Sequence, residues 1–198
     1  MLDADYLRKI RDEKKIKRAV IVGGGLIGIE LLPQLLTSLD PALAKLVENH
    51  IYSKSVYVIT ANGVAAFLGK DNKLTSVKLQ NGTELPCELA VVSIGVQPNS
   101  KLAADAGIAI GEFGGISVNK YMQTSDSDIY AAGDCVEINN IITDKKVYAP
   151  LGDLANLQGR IVGENVIKGN AVTFPGTIQT SICKIFDFTA GSTSISET

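Results

Sequence analysis

The chain is poor in the residues that build most metal and disulfide sites. Its 198 residues include one histidine, His50, and three cysteines, Cys87, Cys135 and Cys183. No CxxC pair occurs, the number of cysteines is odd, and no group of His, Cys, Asp and Glu has metal-ligand spacing. The sequence therefore predicts neither a metal site nor a disulfide framework, and it favours a reducing cytoplasm. His50 falls late in a helical pattern and is interpreted as a partly exposed helix residue.

Excess charge and long apolar runs are also missing. The 19 Lys and Arg residues against 21 Asp and Glu residues give a formal charge of −2, so no broad positive field is available for a phosphate backbone. The longest apolar run, Ala19 to Leu32, contains three consecutive glycines and is shorter than a bilayer span. No basic-then-apolar leader opens the sequence. We therefore expect no binding to nucleic acid or membrane, and no secretion.

Glycine, by contrast, is concentrated at one informative place. Residues 19–30 read AVIVGGGLIGIE, in which Gly23, Gly25 and Gly28 form the spacing GxGxxG directly after a β-branched run. In such a turn the first glycine permits the tight bend, the second admits a pyrophosphate, and the third allows close packing of helix and strand. The following helix start would offer free N–H groups. The spacing alone fits a dinucleotide site or merely a closely packed turn.

The first half of the chain predicts helices and strands, then an antiparallel insert. A solvated lead-in helix is expected over residues 2–17, followed by a buried strand over 19–22. A second helix is predicted to begin near Leu26, and Pro33 should kink it or end it. A third helix, with Asp40 as N-cap and Pro41 in its first turn, and a strand over 55–60 complete this half. From Gly63 to about Leu89 short strands alternate with turns, and Asn81-Gly82 is a strong hairpin signal.

The second half predicts short strands and one long helix. Ser100 is expected to cap a short helix, with strands near 116–118 and 129–131. After Pro150 apolar residues recur at helical spacing, with Asp153 as the predicted N-cap and Gly169 as the stop. The tail after Pro175 alternates like a strand and is predicted to lack a structural partner.

Three segments in the right order resemble one enzyme family. They are IGVQPNS at 94–100, TSDSDIYAAGDC at 124–135 and PLGDLANLQGRIVGENV at 150–166. With the glycine turn they resemble the FAD-dependent pyridine nucleotide-disulfide oxidoreductases, in the branch of CoA-disulfide reductases and NADH oxidases. The resemblance implies an α/β fold: a Rossmann-like NAD(P)H-binding domain with an antiparallel insert over 1–112, the C-terminal part of an FAD-binding domain over 113–174, and the beginning of an interface domain over 175–198.

The resemblance also implies roles for individual residues. Glu30 corresponds to the acid near the nicotinamide, Gly95 to the loop at the edge of that site, and Asp134 to a carboxylate that binds the flavin's ribityl chain. The helix after Gly152 corresponds to the one aimed at the flavin ring. The implied cofactor-binding residues are Gly23, Gly24, Gly25, Leu26, Ile27, Gly28, Gly95, Gly133, Asp134, Leu154, Ala155 and Asn156.

The implied function is transfer of a hydride from NAD(P)H to FAD and of electrons onward to a small-molecule disulfide or to oxygen. The complete enzyme would be a cytoplasmic homodimer. The alternative is an isolated, catalytically inactive nucleotide-binding domain or fragment. A yellow bound flavin would distinguish the two.

This sequence departs from the family in ways that bear on function. The family follows GxGxxGxE with a full helix, a second strand and an acidic residue for the ribose, whereas here Glu30 runs directly into the later stretch LLPQLLTSLDPALA. Glu48 has roughly the expected separation of about 20 residues but sits within a predicted helix. The family's first FAD half and redox cysteine would precede Met1, and its interface domain would continue past Thr198. The three cysteines present, Cys135 included, are interpreted as structural.

Overall fold

A computed structural model describes residues 2–14, 16–25, 36 and 38–193. Within them, helices and strands alternate as an α/β protein, as predicted. In chain order they are α1 (Leu2–Glu13), β1 (Ala19–Gly24), α2 (Pro41–Ser53), β2 (Val64–Lys70), β3 (Lys73–Leu79), β4 (Glu84–Pro86), β5 (Leu89–Val92), α3 (Lys101–Asp105), β6 (Ile116–Ser117), β7 (Val136–Asn140), β8 (Lys145–Val147), α4 (Gly152–Lys168), β9 (Ser181–Ile185) and β10 (Phe188–Ser192).

The described chain divides into two compact units. The first unit contains the residues up to Gly95 together with Cys183–Ala190. The second contains Val96–Ile182 and continues from Gly191. Each unit has its own hydrophobic core.

A parallel pair of strands organises the first unit. β1 lies beside β5 in a register that sets Ala19 opposite Leu89 and Val22 opposite Val92. The β-branched residues of both strands favour this extended pairing. Because the strands are parallel, their carboxyl ends meet at one edge.

The antiparallel insert predicted between Gly63 and Leu89 is confirmed. Strands β2, β3 and β4 form one antiparallel sheet. The Asn81-Gly82 turn joins β3 to β4, and Gly82 has a φ of +87°, which glycine adopts without steric cost. The side chains of Val77, Leu79 and Cys87 form its core.

Two predictions for the first unit were wrong. Residues 55–60 form no strand, although their alternation suggested one. The tail does have a structural partner: β9 and β10 pair with each other, and Ala190 joins the buried face of α2, which includes Val47 and Ile51. Alternation in the sequence showed a strand but did not show that α2 would cover it.

The second unit packs α4 against a small mixed sheet. β6 runs parallel to β7, and β8 is antiparallel to β7. Ile161 of α4 belongs to the same core as Met122 and Ile138. The long helix and its stop at Gly169 are confirmed, but Leu151, not Asp153, is the N-cap. The strand expected at 129–131 is reduced to one bridge, between Gln123 and Tyr130.

Candidate functional site

The glycine turn lies at the carboxyl end of β1. Gly23 and Gly24 are buried as the last residues of that strand, and Gly25 follows in an exposed turn. Gly23 has a φ of +123°, a backbone conformation that side-chain-bearing residues rarely adopt. The sequence therefore needs glycine here for the bend itself.

Gly95 lies at the same edge of the parallel pair. It comes three residues after β5 ends at Val92 and has a φ of +106°. The backbone N–H of Ser93 donates a 2.7 Å hydrogen bond to the carbonyl of Val22, which continues the pairing towards the glycines. Ligands of open α/β sheets bind beyond the carboxyl ends of the strands. The structure thus brings Gly23, Gly24 and Gly25 to the edge that also carries Gly95.

Four other predicted site residues lie outside the described residues. They are Leu26, Ile27, Gly28 and Glu30, and Pro33 lies there too. Beyond them, the N–H of Leu36 donates a 3.0 Å hydrogen bond to the carbonyl of Gly24, so the chain returns to the glycine turn twelve residues later.

Glu48, the weak alternative for a ribose ligand, lies on α2. There its carboxylate accepts a 2.8 Å hydrogen bond from the ammonium of Lys45, three residues earlier on the same helix.

The second unit holds the Gly133 turn tightly. Gly133 has a φ of +90°. Its N–H donates a 2.7 Å hydrogen bond to Oε1 of Gln158, and its carbonyl accepts one of 3.3 Å from the N–H of Val136. A Cβ on Gly133 would lie 3.9 Å from Cβ of Ala155, in the first turn of α4. The structure therefore places the Gly133-Asp134 turn beside the start of α4.

Asp134 presents a free carboxylate at this turn. Its side chain is exposed, and no described residue makes a hydrogen bond or ion pair with it. The negative charge of Asp134 affects the pKa values of two neighbouring side chains, the Tyr148 phenol and the Cys135 thiol. Burial raises the pKa of Tyr148, and the Asp134 carboxylate raises it further. Burial also raises the pKa of the Cys135 thiol, with a smaller contribution from Asp134. A fixed backbone with an unpartnered carboxylate suits a hydroxyl-bearing ligand.

The start of α4 offers hydrogen-bond donors. Leu151 caps the helix without a side-chain hydrogen bond, and the first helical bond runs from the N–H of Ala155 to the carbonyl of Leu151. The N–H groups before Ala155 therefore have no acceptor within the helix. Leu154 and Ala155 are half-buried, while Asn156 is exposed. The N–H groups without an acceptor and the positive end of the helix dipole would both stabilise a polar or negatively charged edge of a ligand ring. The first turn of α4 therefore fits a flavin.

The sequence reasoning missed Gln158 and Tyr148. Gln158 is only 2% exposed. It lies beside the apolar residues of α4, and nothing in their spacing indicates that its amide accepts a hydrogen bond from backbone. Tyr148 precedes the helix in a segment without a recognisable motif.

The three thiols are free, and none is activated. Burial is the largest cause of a raised pKa for Cys87, Cys135 and Cys183 alike.

His50 lies in the last turn of α2. Its Nε2 is 3.1 Å from Oδ1 of Asp187, and its ring lies at an oblique angle to the ring of Phe188. It belongs to the contact between α2 and the β9–β10 hairpin.

The described residues offer neither a metal site nor a membrane-spanning helix. No group of three or more His, Cys, Asp or Glu side chains in this part of the chain is placed to hold a metal ion. None of its helices is long and apolar enough to cross a membrane.

Solved structures and a curated protein resemble most of this chain. A NAD-dependent persulfide reductase from A. fulgidus superposes with a TM-score of 0.92 at 42% identity, over 98% of this chain and 39% of that one. An FAD-dependent pyridine nucleotide-disulphide oxidoreductase from Desulfovibrio vulgaris gives 0.84 at 33% identity, over 94% and 52%. An NADH oxidase of Methanocaldococcus jannaschii is 32% identical over 98% of this chain and 46% of its own.

The alignment with the NADH oxidase covers 210 residues, whereas this chain has 198, so at least 12 positions of that relative have no counterpart here. The chain spans about half the length of the curated relatives it matches. Residues 29–154, well over half of the chain, match the pyridine nucleotide-disulphide oxidoreductase family. Together with the α/β fold and the glycine turns, this match shows that the chain belongs to that family.

Proposed function

We propose that this chain forms part of a flavoprotein oxidoreductase that passes a hydride from NAD(P)H to FAD and electrons onward to a disulfide, such as CoA disulfide, or to oxygen. The observation that carries the proposal is the Gly133 turn, which is fixed against α4 while the Asp134 carboxylate stays free. Similarity to an FAD-dependent oxidoreductase, a NAD-dependent persulfide reductase and an NADH oxidase supports both the cofactors and the two acceptors.

The nicotinamide nucleotide would bind at the glycine turn of the first unit. Backbone N–H groups from Gly24 to Leu26 would bind the pyrophosphate, with Ile27 and Gly28 continuing the cradle. Gly95, at the same edge, would border the nicotinamide end, and Glu30 would lie near that ring. The backbone bend at Gly23 supports this placement.

The flavin would bind at the second unit. FAD, when bound, supplies the two-electron acceptor. Asp134 would accept a hydrogen bond from a ribityl hydroxyl, a charge-assisted bond that is stronger than a neutral one. The N-terminal turn of α4, with Leu154, Ala155 and Asn156, would stabilise negative charge on the ring through its free N–H groups and its dipole.

The organisation of the whole protein is part of the same proposal. We divide the chain into a nucleotide domain at 1–112, the C-terminal part of a flavin domain at 113–174 and the beginning of an interface domain at 175–198. The resemblance to the family supports a homodimer. Three unpaired cysteines are consistent with a reducing cytoplasm.

The alternative, a catalytically inactive nucleotide-binding domain or fragment, has its own support. Parallel sheets are usually covered on both faces, yet Ile21 of β1 is 62% exposed and Val92 of β5 is 54% exposed. In the family a helix and a second strand follow the residue that corresponds to Glu30. Loss of these two elements from this chain would account both for the positions of the NADH oxidase that have no counterpart here and for the exposure of Ile21 and Val92.

Titration with FAD tests the proposal on this chain directly. We expect flavin absorbance to shift on binding, and Asp134→Asn to weaken binding by about tenfold, since one charge-assisted hydrogen bond is replaced by a neutral one. Asp128→Asn, at another exposed aspartate of the same segment, is the control and should bind like the unaltered chain. No flavin binding at all would leave the inactive alternative standing, and equal binding by the Asp134 variant would remove that residue from the site.

A further inference from the structure

We propose that Gln158 is a positioning residue that fixes the backbone at Gly133 and thereby sets the direction of the Asp134 carboxylate. The inference rests on the proposed flavin role of Asp134 and extends it to a buried residue of α4. Gln158 lies in the second turn of α4, is 2% exposed, and directs Oε1 to the N–H of Gly133 at 2.7 Å.

Gly133 needs an external constraint because glycine has more conformational freedom than any other residue. Its φ of +90° is one of many conformations that its backbone could adopt. The N–H belongs to the peptide plane before Gly133, and the carbonyl belongs to the plane after it. Gln158 holds the first group and the N–H of Val136 holds the second. Fixing both planes fixes φ and ψ, and these angles decide where the next side chain, Asp134, points.

The Gln158 contact is also protected from water. Because the side chain is buried, its amide oxygen is not shared with solvent, and the N–H of Gly133 would lose its acceptor if that oxygen were removed. Ala155, one turn earlier on α4, lies against the same glycine. The helix that would face the flavin therefore also sets the turn that carries the carboxylate.

The same helix supplies a matched control. Asn165, seven residues after Gln158, is fully buried and also uses its amide to hold backbone. Its Nδ2 donates to the carbonyls of Tyr121 and Val172, and its Oδ1 accepts from the N–H of Val172, all at 2.8–2.9 Å. None of these partners adjoins Asp134. A variant at Asn165 therefore measures the cost of losing a buried amide without disturbing the Gly133 turn.

Amide hydrogen exchange on the free chain tests the structural step without any cofactor. In Gln158→Met, which keeps the side-chain length but removes the acceptor, exchange at Gly133 should become at least about tenfold faster, while Val172 stays unchanged. Asn165→Leu should show the opposite pattern. Unchanged exchange at Gly133 in the Gln158 variant would overturn the proposal. If the Met variant does not fold, Gln158→Glu retains an oxygen at the same position and should restore protection at Gly133; failure to do so in a folded chain would also overturn it.

FAD titration of the same variants tests the functional step. At equal folded fraction, Gln158→Met should weaken FAD binding by about tenfold and Asn165→Leu by less than about threefold. Equal weakening by both would reduce Gln158 to a structural residue and overturn the positioning role. Should the unaltered chain bind no FAD, the proposed function fails for this chain, while the exchange result still decides whether Gln158 fixes the turn.

Discussion

The carboxylate of Glu137, on β7, accepts a 3.0 Å hydrogen bond from the backbone N–H of Gly115, the residue directly before β6. The same oxygen accepts a 2.7 Å bond from Phe113, and the glutamate is 1% exposed. A side chain at Gly111 would overlap this carboxylate, so both glycines leave room for it. Glu137 thus joins β7 to the segment that leads into β6.

We expect Glu137→Leu to destabilise the second unit by about 3 kcal/mol, because buried N–H groups lose their acceptor and each costs about 1–3 kcal/mol. Glu137→Gln keeps an acceptor oxygen and should cost less. Urea unfolding measures both. Glu112→Leu, on the same segment but exposed, should stay within about 0.5 kcal/mol of the unaltered chain. An equal cost for Glu112→Leu and Glu137→Leu would contradict this account.

The residues that precede β1 and β5 predict that the stability of the fold depends on pH. The Glu88 carboxylate accepts hydrogen bonds from the N–H groups of Arg18 (2.7 Å) and Lys17 (3.1 Å) and lies near the Arg18 guanidinium. The backbone hydrogen bond from Arg18 is the largest cause that lowers the pKa of Glu88. A lowered folded-state pKa means that its stabilisation is complete above the usual glutamate pKa, about 4.3, and is lost as the pH falls through the folded value.

Unfolding of Glu88→Gln between neutral pH and about pH 3 tests this sign. The free energy of unfolding should differ from that of the unaltered chain at neutral pH, and the gap should close in acid, where both side chains are uncharged. Glu84→Gln, at an exposed glutamate of β4, is the control and should show no comparable closing gap. A gap that is constant with pH would show that the Glu88 contact does not depend on its charge.

Local patterns predicted the elements whose cause is local. The β-branched run before Gly23, the Asn81-Gly82 turn and the helical spacing after Pro150 all gave the correct element, because turn chemistry and amphipathic period act over a few residues. Residues 55–60 show the limit: an alternating pattern forms a strand only if another strand pairs with it, and none of the described residues does so.

The candidate site could be predicted only where a motif carries it. Asp134 was predicted as a flavin ligand through the family's Gly-Asp pattern; the structure shows it exposed, next to the hydrogen-bonded Gly133, and its flavin role stays a prediction. Gln158 was missed because its hydrogen-bond partner, Gly133, lies 25 positions away in the sequence, a distance that no local pattern encodes. The hairpin at 181–192 was misjudged for the same reason, since its cover on α2 lies more than a hundred residues earlier.

The properties of the three thiols predict that this chain alone has no disulfide reductase activity. Cys87, Cys135 and Cys183 all have a pKa raised above the usual thiol value, chiefly by burial, so little thiolate exists at neutral pH. We expect the chain supplied with FAD and NADH to show no disulfide-dependent NADH oxidation above the background of free flavin. A thiol reagent such as a chromogenic disulfide should react with the folded chain much more slowly than with the urea-unfolded chain. Activity that is lost in Cys135→Ser would contradict this prediction.

The glycine turn predicts weak nucleotide binding with little preference between NADH and NADPH. The bend at Gly23 leaves backbone N–H groups for the pyrophosphate, but no second strand with a ribose-binding acid follows in the sequence, and Glu48 is paired with Lys45. Loss of one charge-assisted hydrogen bond costs roughly 1.5–3 kcal/mol, or about one to two decades in Kd. Titration with each cofactor should therefore show weak binding, with dissociation constants within about threefold of each other.

Gly25→Val should abolish this binding because the added side chain would occupy the space where the phosphates approach the backbone, whereas Gly82→Val, in the β3–β4 turn, should not. Tight binding with a strong preference for NADH would show that an acid does reach the ribose, and Glu48→Gln would then identify or exclude Glu48 as that acid.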